Sequence, residues 1–153
     1  MLQISGIPDT VFVSDIRIGN RSVFDSGLEL SSPSEPLQVV IDATTGATVE
    51  ATVRTADGRL APRATVVLVP SEDRRQNPMR YKTGTTDNEG RLIVRGVAPG
   101  SYTAFVWESV QDTAWQNAEF LSKYQEQGTA ISVAPGAQVN LQLKWIPFDA
   151  DLR

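Results

Sequence analysis

Short apolar runs of strand length alternate with polar turn signals along most of the chain. The segment Gly46–Thr55 places apolar and polar residues at alternate positions, which is typical of a strand with one buried face. Gln138–Trp145 alternates in the same way. Ala64–Val69 is instead almost continuously apolar, which predicts a strand buried on both faces. Regular short strands separated by turns predict an all-β protein built as an antiparallel sandwich.

Further strands are bounded by Gly, Pro and Asp, which punctuate turns because Gly reaches positive φ and Pro fixes φ. The pattern predicts strands at Leu2–Ile4, Thr10–Ile18, Leu37–Ile41, Arg80–Thr86, Arg91–Val94, Tyr102–Trp107 and Thr129–Val133, with weaker candidates at Arg21–Asp25 and Leu28–Leu30. Arg80–Thr86 and Arg91–Val94 are expected to form a hairpin about the intervening Asp-Asn-Glu-Gly turn. The polar segment Ser71–Pro78 is expected to be an exposed loop.

The strand pattern breaks once, in the segment Gln116–Gln127. This segment combines good helix formers with apolar residues at helical spacing. Asn117 can cap the start of a helix, and Gly128 can end it. The sequence therefore predicts one short helix inserted between strands.

The first part of the chain echoes the later part. Ser5–Val13 and Arg95–Val106 both read as a glycine, an aliphatic residue, a proline turn and a strand with an aromatic residue. Leu37–Ile41 is similar to Val139–Leu143 in the same way. We interpret residues 1–45 as a partial β repeat, the trailing half of an upstream sandwich domain, which would make Met1 an artificial or truncated start. The alternative is that all strands belong to one larger sandwich.

The half-repeat hypothesis divides the chain into a partial repeat at 1–45, a complete sandwich domain at 46–147 and a tail at 148–153. It also predicts that the strands of residues 1–45 pack poorly or pair with another molecule, because exposed sheet edges attract partners.

Three stretches carry a resemblance to a known family. They are Val53–Leu68 with its Ala-Asp-Gly turn, Thr85–Val94 with its Asp-Asn-Glu-Gly turn, and Gly96–Val106 with its Val-Ala-Pro-Gly-Ser-Tyr run. The region from Gly46 to Ile146 resembles the carboxypeptidase regulatory-like domains, also called transthyretin-like or prealbumin-like. The resemblance implies an Ig-like or prealbumin-like β-sandwich that serves as an accessory module of a larger exported, often bacterial cell-envelope, protein. The inserted helix departs from the minimal family pattern.

Composition narrows the possible chemistry. The chain has no Cys and no His, so disulfides, thiol nucleophiles and Ser-His-Asp triads are excluded, as is the histidine-dependent site of the ureide-hydrolysing members of the transthyretin-like fold. The net charge of −4 with scattered basic residues argues against a nucleic-acid partner. No apolar run approaches the roughly 20 residues of a membrane span, and no signal peptide is recognised at the N-terminus. We therefore expect an exported location only as part of a larger protein, without direct membrane insertion and without a cofactor.

Aromatic residues around the inserted helix are the candidate ligand site. Aromatic faces can stack on sugar rings, and Trp115 lies in an irregular segment where we expect it to be exposed. The candidate ligand-binding residues are Trp107, Glu108, Trp115 and Tyr124. Carboxylates near this segment are expected to form a solvated helix face rather than a catalytic pair, and Asp57 and Asp87 are expected to form turns rather than a metal site.

The sequence thus favours a non-enzymatic accessory, interaction or spacer module. Its partners are expected to be neighbouring domains of the same polypeptide or another protein, contacted through loops 71–80 and 108–128. The alternative is a carbohydrate-binding module that binds polysaccharide through exposed aromatic residues near Trp115.

Overall fold

The computed structural model describes residues 5–27 and 39–148, and these residues form an all-β fold of ten strands in three sheets. The strands are β1 Val11–Ile18, β2 Arg21–Ser22, β3 Val39–Thr45, β4 Ala47–Arg54, β5 Thr65–Pro70, β6 Lys82–Thr85, β7 Arg91–Val97, β8 Gly100–Trp107, β9 Thr129–Val133 and β10 Gln138–Lys144. The predicted strands Leu2–Ile4 and Leu28–Leu30 lie outside the described residues, as does the tail beyond Phe148.

Two sheets form the sandwich, one in the order β10-β4-β7 and one in the order β6-β5-β8-β9. Both sheets contribute to a single apolar core between them. The alternation predicted for β4 is confirmed, because Val49, Ala51 and Val53 are buried in this core while Glu50 and Arg54 are exposed. The buried face of β4 thus follows from its period-two patterning.

The strand β5 is buried on both faces, as its unbroken apolar run predicts. Val66 and Leu68 belong to the sandwich core, whereas Val67 and Val69 belong to a second apolar cluster on the outer face of the same sheet. The four-stranded sheet therefore needs a cover on its outer side. The inserted segment between β8 and β9 provides that cover.

The predicted hairpin of β6 and β7 is wrong. β6 pairs with β5 in one sheet and β7 pairs with β4 in the other, so the turn between them crosses from sheet to sheet. The turn itself is formed as predicted, since a carboxylate oxygen of Asp87 accepts hydrogen bonds from the backbone N–H groups of Glu89 and Arg91. The turn depends only on neighbouring residues, whereas the pairing of each strand depends on residues that are distant along the chain.

The last strand also departs from the expected antiparallel arrangement. β10 runs parallel to β4, with Val139 opposite Val49 and Leu143 opposite Val53. The chain passes from β9 in one sheet to β10 in the other. Because β10 does not pair with β9, it can run parallel to its neighbour β4. The predicted facing of β10 is confirmed, because Leu143 is buried while its polar neighbours along the strand are exposed.

A separate three-stranded sheet, ordered β2-β1-β3, precedes the sandwich and is called the N-terminal sheet below. It has a small core of its own, formed by Val13, Ile16, Val23 and Phe24. Its edge strand β3 leaves Val40 and Ile41 about two-fifths exposed, at 39% and 41%. The weak candidate strand at Arg21–Asp25 is confirmed only as the two-residue β2.

Candidate functional site

The inserted segment begins as predicted but is less helical than predicted. It comprises a 3₁₀ turn at Ala114–Gln116, the helix α1 at Ala118–Ser122 and a second 3₁₀ turn at Gln125–Gln127. The side-chain oxygen of Asn117 accepts hydrogen bonds from the backbone N–H groups of Glu119 at 2.8 Å and Phe120 at 3.2 Å. The predicted N-cap is therefore confirmed, and it fixes the start of α1.

Three of the predicted ligand-binding residues, Trp107, Trp115 and Tyr124, belong to one apolar cluster, called the aromatic cluster below, and two of them make ring contacts within it. The ring of Trp107 stacks on Phe105 at 5.3 Å between centroids, with an interplanar angle of 11°. Tyr124 meets Trp107 edge-on at 5.6 Å, and Phe120 packs at 5.7 Å. Such offset and edge contacts are the preferred geometries of buried aromatic pairs. The cluster is the core beneath the inserted segment.

The expectation that Trp115 is exposed is wrong. Trp115 and Tyr124 are each only 7% exposed, and Trp107 is 2% exposed. The physical reason is the apolar outer face of the four-stranded sheet, which carries Val67 and Val69 and has to be removed from water. Trp115 lies against this face and cannot offer its ring to a sugar in this conformation.

Glu108, the fourth predicted residue, is exposed and lies outside the aromatic cluster. Its Oε2 accepts a hydrogen bond from the backbone N–H of Phe148 at 2.9 Å, and its own backbone N–H donates to the carbonyl of Ile146 at 2.9 Å. Glu108 thus ties the segment after β10 to the end of β8. Its role in ligand binding stays a prediction.

Backbone segments of the N-terminal sheet and the sandwich touch at two glycines, Gly46 and Gly96. The backbone N–H of Gly46, the residue between β3 and β4, donates to the carbonyl of Thr10 at 2.9 Å. A Cβ on Gly96 would lie 2.5 Å from the carbonyl oxygen of Asp9, and a Cβ on Gly46 would lie 2.5 Å from the carbonyl carbon of Gly96. Only glycine allows backbones to approach this closely. We call this contact the glycine junction.

A polar cluster holds the other end of the N-terminal sheet. Arg80 donates two hydrogen bonds to the carboxylate of Asp25, from Nε at 3.0 Å and from Nη2 at 2.9 Å, and its guanidinium lies 4.4 Å from the ring centre of Phe24. Asn77 Nδ2 donates to the carbonyl of Phe24 at 2.8 Å. The hydrogen bond from Arg80 keeps the pKa of Asp25 below its usual value. We call these four residues the Asp25 cluster.

The prediction that Ser71–Pro78 is an exposed loop is confirmed for most of the segment, and Asn77 is the exception. This segment contains a 3₁₀ turn at Glu72–Arg74, a second turn starts at Pro78, and the side chain of Asn77 is buried. Asn77 is buried because its side-chain amide donates hydrogen bonds to the carbonyl of Phe24 and to the carboxylate of Asp25. Neither the Asp25 cluster nor the glycine junction carries a sequence motif, because both join residues that are far apart along the chain.

The acidic turns have local explanations. Asp57 accepts hydrogen bonds from the hydroxyl of Thr55 and from Arg59, and these bonds lower the pKa of Asp57 to about 2. Within residues 5–27 and 39–148, no group of three or more acidic residues is placed to hold a metal ion. In the same described ranges, no helix has the length and apolarity to cross a membrane.

Comparisons with known proteins add distant structural similarities. No protein-family model and no curated protein matches the chain, so the narrower carboxypeptidase regulatory-like label is not confirmed. The chain is similar in structure to BcpA, the major pilin subunit of Bacillus cereus, with 10% identity, a TM-score of 0.43, and coverage of 90% of this chain and 56% of that one. The TIE protein of Bacillus anthracis is similar over 71% of this chain and 19% of that chain, with 13% identity and a TM-score of 0.42.

A third similar structure is the pilus 2b backbone protein of group B streptococcus. It is 12% identical, with a TM-score of 0.42, and the match covers 80% of this chain and 48% of that chain. The chain spans less than two thirds of each of these three proteins. At such identities and TM-scores the similarities carry no argument about function, and the assignment to the all-β sandwich class rests on strand order and core.

Proposed function

We propose that this chain is a non-catalytic spacer and interaction module of a larger exported cell-envelope protein, in which the N-terminal sheet is fixed rigidly onto the sandwich. The observation that carries the proposal is the two-point attachment between these parts. The glycine junction holds one point, and the Asp25 cluster holds the other. A spacer has to keep its two ends at a fixed orientation, and two separate contacts prevent rotation about either one.

The connection between the N-terminal sheet and the sandwich is a single residue. β3 ends at Thr45 and β4 begins at Ala47, so that Gly46 alone separates them. Flexible linkers between domains are longer and rich in polar residues. A one-residue connection, itself hydrogen-bonded to Thr10, supports a rigid arrangement.

Partner contacts are proposed for the outer side of the inserted segment. Its apolar side chains pack against the sheet, whereas Glu108, Asp112, Glu119 and Glu126 are exposed. An acidic, well-anchored surface suits a partner that offers basic or hydrogen-bonding groups, either a neighbouring domain or another protein. Within Ser71–Pro78 the side chain of Asn77 is engaged by Phe24 and Asp25, and the exposed residues Glu72, Asp73 and Gln76 are proposed as further partner contacts.

The N-terminal sheet supports the half-repeat hypothesis for residues 1–45. Among the described residues its core has four buried members, and Val40 and Ile41 are exposed on its edge strand. An exposed edge strand with apolar residues is a surface on which a further strand can pair. We propose that an upstream part of the longer polypeptide completes it.

A glycan titration separates the spacer proposal from the carbohydrate-binding alternative. If the tryptophans serve as core, soluble polysaccharides and oligosaccharides are expected to leave the intrinsic tryptophan fluorescence unchanged, because the Trp107 and Trp115 rings are buried. The measurement is a titration of the folded chain with a panel of such glycans, with Trp145→Phe as a control for signal from the half-buried Trp145. A saturable shift that Trp115→Ala abolishes, in a variant that stays folded, would replace the spacer proposal with carbohydrate binding.

A further inference from the structure

A cavity of about 240 Å³ lies between the N-terminal sheet and the sandwich. The N-terminal side supplies apolar walls from Ile7 and Phe12. The sandwich side supplies Ala98, Tyr102 and Lys82. Small-ligand sites commonly combine mostly apolar walls with a few polar groups, and roughly 300 Å³ is the lower end of their usual volume. This cavity therefore suits a small occupant.

Lys82 is the unusual group in this cavity. It lies opposite Leu68 in the antiparallel pair of β5 and β6, so its side chain leaves the sheet on the same face as Leu68, toward the sandwich core. Its ammonium forms no hydrogen bond or ion pair with any residue of the described ranges, and burial lowers the pKa of Lys82. A partly buried ammonium without a partner is unfavourable, and an anion beside it removes that cost.

The other charged groups of the cavity are already engaged. Arg80 is paired with Asp25. Asp9 also lines the cavity, but its carboxylate is largely exposed and lies 3.5 Å from Nη1 of Arg95. Lys82 is thus left as the cation that can receive an added anion.

We propose that this cavity binds a small organic monocarboxylate, with its carboxylate on the ammonium of Lys82 and its apolar body against Ile7, Phe12 and Ala98. A monoanion fits better than a phosphate dianion, because one cation is available and the acidic residue Asp9 lines the same cavity. The apolar walls add burial of the ligand body, which a fully polar anion would not gain. The inference does not depend on the spacer function.

A purely structural role for Lys82 makes a different prediction. β6 is an edge strand of its sheet, and an inward-pointing charge on an edge strand is one way in which proteins prevent edge-to-edge pairing. In that case Lys82→Met would cause self-association, and no carboxylate would bind to the wild-type protein. Carboxylate binding to the wild-type chain and self-association of Lys82→Met are measured in separate experiments.

The test is a titration of the full chain with phenylacetate, followed by amide chemical shifts, with neutral phenylacetamide as the matched ligand control. We expect saturable shifts at Phe12, Lys82 and Ala98 with phenylacetate alone. Lys82→Met is expected to weaken binding about tenfold or more, whereas Lys82→Arg retains it. Lys144→Met, at an exposed lysine of β10, is expected to bind like the wild type.

Three results would overturn the proposal. They are no saturable shift with phenylacetate up to about 20 mM, equal binding of phenylacetamide, or unchanged binding by folded Lys82→Met. If Lys82→Met does not fold, the comparison of phenylacetate with phenylacetamide on the wild-type chain is by itself the test of the proposal.

Discussion

Replacing Trp107 with alanine is expected to lower the free energy of unfolding by about 3–5 kcal/mol. The indole is 2% exposed and contacts Phe105, Phe120 and Tyr124 through the stacked, tilted and edge-on geometries described above. Its removal leaves a cavity between the four-stranded sheet and the inserted segment, and close-packed interiors collapse only in part around such cavities. The measurement is urea denaturation followed by far-ultraviolet circular dichroism.

Trp107→Phe is the matched variant for this prediction. The indole N–H of Trp107 is buried without a hydrogen-bond partner among the described residues, so phenylalanine removes an unfavourable polar group while keeping an aromatic ring against Phe105. Its loss of stability is expected to be well below that of Trp107→Ala. If Trp107→Ala lost less than about 1 kcal/mol, the ring would not be part of a packed core. The aromatic cluster would then again be a candidate ligand-binding surface.

Gly96→Ala is expected to destabilise the chain by at least about 2 kcal/mol more than Gly136→Ala. Both glycines have a φ of 65°, so both substitutions carry a similar left-handed backbone strain. They differ in space, because a Cβ on Gly96 would lie 2.5 Å from the carbonyl oxygen of Asp9, whereas a Cβ on Gly136 meets nothing within 4 Å. The difference between the two variants therefore isolates the contact at the glycine junction.

The measurement for this pair is urea denaturation combined with amide hydrogen exchange. In Gly96→Ala we expect protection to fall first in β1, because the backbone next to Asp9 is displaced from the sandwich. In Gly136→Ala the protection of β1 is expected to match that of the wild type. Equal destabilisation by the two substitutions would mean that the close approach at Gly96 does not hold the N-terminal sheet.

Much of the fold could be predicted from local patterns. The alternation in β4 and the unbroken apolar run of β5 each predict how many faces are buried, because side-chain direction in a strand has a strict period of two. The cap at Asn117 was equally local, since a side chain and two backbone N–H groups of the same turn satisfy one another. These features need no knowledge of distant residues.

Strand pairing could not be predicted in the same way. The turn between β6 and β7 suits a hairpin and a crossing between sheets equally well, so its residues do not identify the partners. The parallel pairing of β10 with β4 depends on the path of the whole chain. Periodicity indicates which face of a strand is buried and leaves its neighbours undetermined.

The burial of Trp115 has a signal in the sequence. An apolar run buried on both faces at β5 requires a cover over the outer face, and the aromatic residues of the inserted segment are the largest apolar groups available for it. The Asp25 cluster had no such signal, because Asp25 and Arg80 are 55 residues apart and each is an ordinary surface residue type.

The spacer proposal requires the N-terminal sheet and the sandwich to tumble as one rigid unit, and amide nitrogen relaxation measures whether they do. Rotational correlation times are measured separately for the amides of β1 and β3 and for those of β5 and β8 in the wild-type chain. Attachment at the glycine junction and the Asp25 cluster predicts one common correlation time for both groups. A clearly shorter correlation time for β1 and β3 would show that the N-terminal sheet moves independently, and the spacer proposal would lose the observation that carries it.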